Sequence, residues 1–198
     1  MGLSSRSNDR STASNPPTDP EQAYEMQGLV DACRRGDRVA QHALYQRFFK
    51  RVHFVVARMV GFKDSDDVTQ SVFLQVFRCL EQYRQQSRFE TWLYRVTVNE
   101  ALQYRRRARR WPLRMLHQEL AVDSHKVNDE GGDRELLNRA LLELPGELRA
   151  LFVLREVEGL SYRDLAEILE MPEGTVASQL NRVRQLLRQK LIAWGWEG

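Results

Sequence analysis

The chain has 198 residues, 42% of them hydrophobic and 29% charged, which is room for one or two small domains with cores of their own. No apolar run approaches the ~18 residues of a membrane span, and the N-terminus lacks the apolar core of a signal peptide, so a cytoplasmic protein with no membrane insertion is expected. The net charge of +3 is mild, but nearly all of the 30 basic residues are arginine, whose fork matches phosphate geometry; a GC-rich genome gives the same bias. Cys33 and Cys79 are the only cysteines and stand far apart without a CxxC. His42, His53, His117 and His125 have no metal-ligand rhythm, so neither a metal site nor a cofactor is expected.

Residues 1–20 offer almost nothing to bury and read as a disordered tail. From Gln22 the pattern is helical: Leu29, Val30 and Cys33 share a face, Gly36-Asp37 breaks it, and Val39, Ala43, Leu44 and Phe48 continue into Val52, Val55, Val56 and Met59. After an interruption at Gly61, further helices are predicted from about Ser65 to Tyr83 and from about Arg88 to Arg110, closing a first domain at 22–110. Periodicity fades over 111–133, which reads as a linker. A second domain at 134–194 begins with Leu136, Leu137, Ala140, Leu141 and Leu144 and continues through Leu148, Leu151, Phe152 and Leu154. Runs of alternating Val, Ile and Thr are hard to find. The expected fold is all-α: two small helical domains joined by a flexible linker, the C-terminal one containing a helix-turn-helix.

That helix-turn-helix carries its own caps. Ser161 can accept from the Asp164 N–H while the Asp164 carboxylate returns to the Ser161 N–H. Gly159 closes the preceding helix, and Met171-Pro172 must end the short helix of Leu165, Ala166, Ile168 and Leu169. A second helix starts at about Glu173, with Val176, Leu180, Val183, Leu186 and Leu187 on one face and Arg182, Arg184 and Arg188 elsewhere. Two such helices place a recognition helix in the major groove, with Glu173, Thr175, Ser178 and Gln179 on the turns that reach DNA. An ordinary helical hairpin with a solvated basic face is the alternative.

In the first domain Asp67, Gln70, Ser71 and Leu74 fall at i, i+3, i+4 and i+7, a mixed face suited to docking on a partner. Asp66 and Asp67 are equally what a helix dipole favours at an N-terminus. From Arg88 onward, Phe89, Trp92 and Tyr94 interleave with Arg95 and run into five arginines within 105–110. Aromatic faces and cations are what single-stranded nucleic acid needs, although Phe89, Trp92, Leu93 and Val96 also fit a core, and the arginines fit a plain C-terminal turn.

On these residues the chain resembles the extracytoplasmic-function (ECF) sigma factors of the sigma-70 family, over about Leu29 to Leu191. Asp64 to Phe73 resembles the family helix that docks on the polymerase's largest subunit, with Asp66 for the usual Glu and Ser71 where a second Glu is common. The resemblance implies core RNA polymerase binding by Asp66, Asp67, Gln70, Ser71 and Leu74. It implies minus-10 recognition and melting by Arg88, Phe89, Trp92, Arg95, Asn99, Arg105 and Arg106, with the 82–87 loop pocketing a flipped base. Leu144-Pro145, Arg149, Leu154-Arg155, Ser161-Tyr162 and Gly174-Thr175-Val176 resemble the minus-35 module, which implies contacts from Arg163, Glu173, Thr175, Ser178, Gln179 and Arg182. Ala177, Gln179 and Asn181 depart from the family's usual polar or cationic residues, which bears on DNA preference.

The expected function is therefore a sigma factor that binds core RNA polymerase and promoter DNA and directs initiation, with no catalysis and no small-molecule substrate. A separate anti-sigma factor is a further expectation of the resemblance. A polymerase-independent helix-turn-helix regulator is the rival, but such a protein needs a dimer interface or sensor domain, and neither is visible. A metal-dependent enzyme built on Asp64, Asp66 and Asp67 lacks any placed base or nucleophile.

Overall fold

The computed structural model describes residues 20–110 and 132–196; the expected tail and most of the expected linker lie outside the described residues. Within them the regular structure is helical throughout: α1 (Pro20–Arg34), α2 (Arg38–Val60), α3 (Ser65–Cys79), a 3-10 turn at Leu80–Gln82, α4 (Phe89–Arg110), α5 (Gly132–Leu142), α6 (Gly146–Glu156), α7 (Tyr162–Ile168) and α8 (Glu173–Ala193). The all-α expectation is met.

In the first helical unit α2, α3 and α4 pack on one another and α1 lies along α2. Asp37 caps α2, its carboxylate accepting from the N–H groups of Val39 at 2.8 Å and Ala40 at 3.3 Å, so the break read at Gly36-Asp37 is also a start. Val30, Leu44, Phe48, Val52, Val56, Val72, Val76 and Leu93 fill the core. Helix α3 stops at Cys79, short of Tyr83, because the chain tightens into the 3-10 turn. Arg34 secures that turn by donating to the Leu80 carbonyl at 3.3 Å and to the Tyr83 carbonyl while bonded to Asp31 at 2.9 Å.

In the second unit α8 packs against α5, α6 and α7. Gly159, with φ of +68°, turns the chain out of α6 in a conformation a side chain would resist. Ser161 then starts α7 with the predicted capping box, its hydroxyl accepting from the Asp164 N–H at 3.1 Å and its own N–H donating to the Asp164 carboxylate at 3.2 Å. Helix α7 ends at Ile168 rather than at Met171, since Glu170 already takes the left-handed φ of +52°. Pro172 instead occupies the N-cap position of α8.

The two units also share a core. Val55, Met59, Tyr94, Val98 and Ala101 of the first form one buried cluster with Leu151, Leu154, Leu160, Leu165, Ile168, Val176 and Leu180 of the second. Arg149, only 1% exposed, crosses the same boundary. Its guanidinium donates to the carbonyls of Leu144 at 3.1 Å and Leu142 within its own unit, and to that of Met59 near the end of α2. Helix α2 thereby finds a cation at its negative end.

Candidate nucleic-acid interface

Helix α3 buries Val68, Val72 and Val76 and presents Asp66, Asp67, Gln70, Ser71 and Leu74 to solvent. Leu74 is 57% exposed, a large apolar side chain among polar ones, as a docking face requires. The Ser71 hydroxyl donates back to the Asp67 carbonyl at 3.0 Å. His53 of α2 stacks on Phe49 at 5.6 Å and places Nε2 2.9 Å from Asp66 and 3.1 Å from the Ser65 hydroxyl, bracing the start of the face.

Helix α4 sorts its residues less simply than the aromatic and arginine pattern predicts. Phe89 is 2% exposed, its ring 5.5 Å from Phe48, 5.5 Å from Tyr83 and 5.6 Å from Trp92. It supports the segment from beneath and offers no face to a base, which corrects its reading as a DNA contact. Trp92 is half-buried beside Tyr83 at 5.4 Å, and Leu93 is core, the alternative reading for both. Asn99 is exposed, and Arg88 and Arg95 are half-buried. A cleft of ≈ 630 Å³ runs from the 82–87 loop along Trp92, Arg95, Val96 and Asn99. Its loop holds Gln85 at φ of +59°, a strained turn for a residue with a Cβ. Further along, Arg105 is half-buried and Arg106 exposed, 4.0 Å from Glu147.

On the second unit Arg163, Glu173, Ser178 and Arg182 are exposed, and the Ser178 hydroxyl donates to the Thr175 carbonyl at 2.9 Å. Thr175 and Gln179 are half-buried, and the Gln179 Oε1 is enclosed without a hydrogen-bond partner. The first turns of α8 thus present Glu173, Ser178 and Arg182 outward while Gln179 leans inward.

Sequence reasoning missed the acids that face Arg51 of α2, Arg88 just before α4 and Arg95 within it. Asp164 receives Arg88 at 3.1 Å and the Thr91 hydroxyl at 3.1 Å. Glu167 receives Arg95 at 2.9 Å and stands on the rim of the α4 cleft. Glu158 accepts from Arg51 at 3.1 Å and from the Tyr94 hydroxyl. Burial, then Glu158, pushes the Tyr94 phenol far above its ordinary range, so it stays a donor. Burial raises Asp164, but the Ser161 hydroxyl, Arg88 and Thr91 together outweigh it and hold the carboxylate below its ordinary value. Only the local half of this network, the capping box, has a signature in sequence. Among the described residues no helix is long and apolar enough to cross a membrane.

Comparisons with known proteins bear on the whole arrangement. The sigma-70 region 2 family matches residues 44–111, and the sigma-70 region 4 family matches residues 134–187. An ECF RNA polymerase sigma-E factor of Haemophilus influenzae is 35% identical over 178 residues, 83% of this chain and 94% of that protein. The protein of that description from Escherichia coli strain K12 is 33% identical over 181 residues, 83% of this chain and 93% of its own. Among solved structures, CnrH in complex with the cytosolic domain of CnrY superposes with a TM-score of 0.64 at 20% identity, over 84% of this chain and 97% of that one. The sigma factor RpoE of Bartonella quintana, solved with the anti-sigma factor NepR, gives 0.58 at 21% identity, over 75% and 96%. Two sigma-70 regions in order, on an all-helical frame and with relatives along most of its length, decide against a polymerase-independent regulator: this chain belongs to the ECF sigma factors, which bind core RNA polymerase and direct promoter-specific initiation of transcription.

Proposed function

We propose that the labour of initiation is divided between the two units: residues 22–110 dock on core polymerase and hold the minus-10 element, and residues 134–194 read the minus-35 element. The observation that supports it best is the exposed α3 face, where Leu74 stands out of a helix whose opposite side is fully committed to the core. Asp66, Asp67, Gln70 and Ser71 surround it and supply polar specificity. Arg88, Arg95, Asn99, Arg105 and Arg106, with the Trp92 edge, line the strand-holding surface. Arg163, Glu173, Ser178 and Arg182 carry the upstream contacts, with Thr175 and Gln179 beside them. The chain does no covalent chemistry of its own, acts in the cytoplasm with polymerase, and needs no metal or cofactor. An anti-sigma factor is a fitting regulator, since the sigma factor RpoE described above is held by one.

The test is Asp67→Arg. Asp67 is exposed, so helical content is expected to stay unchanged while association with core polymerase weakens at least tenfold in a pull-down or by fluorescence anisotropy. Wild-type affinity in the variant would overturn the docking assignment.

A further inference from the structure

We propose that His53 is a positioning residue for polymerase docking: from α2 it fixes the Asp66 carboxylate at the start of the α3 face in the orientation that core polymerase meets. This inference rests on the reading of Asp66 as a docking contact.

The start of α3 is held from outside the helix. Asp64 stands at its N-cap position but makes no side-chain cap hydrogen bond, so the first turn goes without the local fastening that Ser161 gives α7. Ser65 and α2 tie the turn down instead. The Ser65 hydroxyl, on a residue only 2% exposed, donates to the Phe62 carbonyl at 2.8 Å. Its one proton is thereby used, and its oxygen accepts from the His53 Nε2 3.1 Å away. The Asp66 carboxylate, 2.9 Å from the same nitrogen, is an acceptor as well. Both neighbours therefore demand a proton on Nε2, which settles what the ring offers them. Phe49, stacked on the imidazole at 5.6 Å, keeps the ring in place.

Folding gains little from this bond. The Asp66 side chain is 81% exposed and that of His53 is 29% exposed, and a pair so open to water contributes weakly to stability. Its effect is on freedom. An exposed carboxylate samples several rotamers and surrenders them when a partner immobilises it; one that His53 has already oriented surrenders fewer, so docking is tighter for the same contact. Asp66 lies in the first turn of α3 beside Asp67, with Gln70 and Leu74 following on the exposed side, so the fixed carboxylate sits at the head of the docking face.

The test is His53→Phe in the full chain, which keeps the stack on Phe49 and removes the donor. Association with core polymerase, read by fluorescence anisotropy, is expected to weaken about three- to tenfold, while far-UV circular dichroism and the thermal midpoint stay as in wild type. His53→Gln puts an amide donor near the place of Nε2 and is expected to restore affinity to within about twofold of wild type. A double-mutant cycle with Asp66→Ala identifies the route: if His53 acts through Asp66, adding His53→Phe to Asp66→Ala weakens binding no further. Wild-type affinity in His53→Phe, or its full loss repeated on top of Asp66→Ala, would overturn the positioning role. A Gln variant as weak as the Phe variant would overturn it too, since the donor would then not be the cause. Asp66→Ala binding as tightly as wild type would instead overturn the reading of Asp66 as a docking contact, and Asp67→Arg tests the remainder of the face apart from both.

Discussion

Arg149 and Asp164 show how far single residues govern this molecule. Arg149 is a buried cation without a carboxylate partner among the described residues; burial and then the nearby Arg105 depress its pKa to about 9, and three carbonyls accept from the guanidinium, which remains charged at neutral pH. Arg149→Met fills the same space and strands those carbonyls, so urea denaturation is expected to show a loss of roughly 2 to 4 kcal/mol. Lysine cannot replace it, since one ammonium does not span a fork that reaches α2 and the α5–α6 turn together. Asp164 sets a pH limit. Its folded pKa lies below the ordinary value of 3.8, so the stability it contributes is present above that value and is lost as pH falls through the depressed folded one. Acidification below about pH 4 is expected to weaken the contact between α4 and α7, and Asp164→Asn to flatten that dependence in a fluorescence titration against pH.

Helix α7 has only seven residues, too few to be stable alone, so its cap and its neighbours decide its existence. Ser161→Ala removes the hydroxyl that accepts from the Asp164 N–H and donates to its carboxylate at 2.6 Å. A loss of about 1 kcal/mol in thermal or urea unfolding is expected. Helix α3 behaves oppositely at Leu74: replacement by Ser is expected to leave stability within ~0.5 kcal/mol and to weaken polymerase binding, which separates docking from folding. Elements of this kind are legible in the amino-acid sequence. Ser161 announces a start by local chemistry, and the acidic and apolar spacing of α3 points one face outward, whereas Asp37 and Pro172 read as a break and a stop and prove to be the N-cap positions of α2 and α8. The close of α7 is not legible, because nothing in Leu169-Glu170-Met171 marks a left-handed turn. The burial of Phe89 is not legible either, because an aromatic beside arginines reads alike whether it faces solvent or Phe48.

At the scale of the molecule, sequence periodicity stops short for a different reason. A helical stripe such as Val55, Met59, Tyr94 and Val98 declares that something covers it and not what does. Periodicity alone divides the chain into two domains with a linker between them; beside each unit's own core, their stripes also build one cluster that spans both. Gly146 records how near the halves come, since a Cβ there would lie 2.5 Å from Leu102 and 3.2 Å from Arg105 of α4. Gly146→Ala is accordingly expected to turn aside the half-buried ends of the Leu102 and Arg105 side chains, leaving the helices and the dimensions of the chain in scattering unchanged. The shared cluster also gives the molecule a thermal character. Separating the halves wets aliphatic side chains from both, so opening carries a positive heat-capacity change, and the hydrophobic share of closure fades on cooling. Contact between the two units is therefore expected to loosen as the temperature falls, read as a rising radius of gyration in scattering across a cooling series.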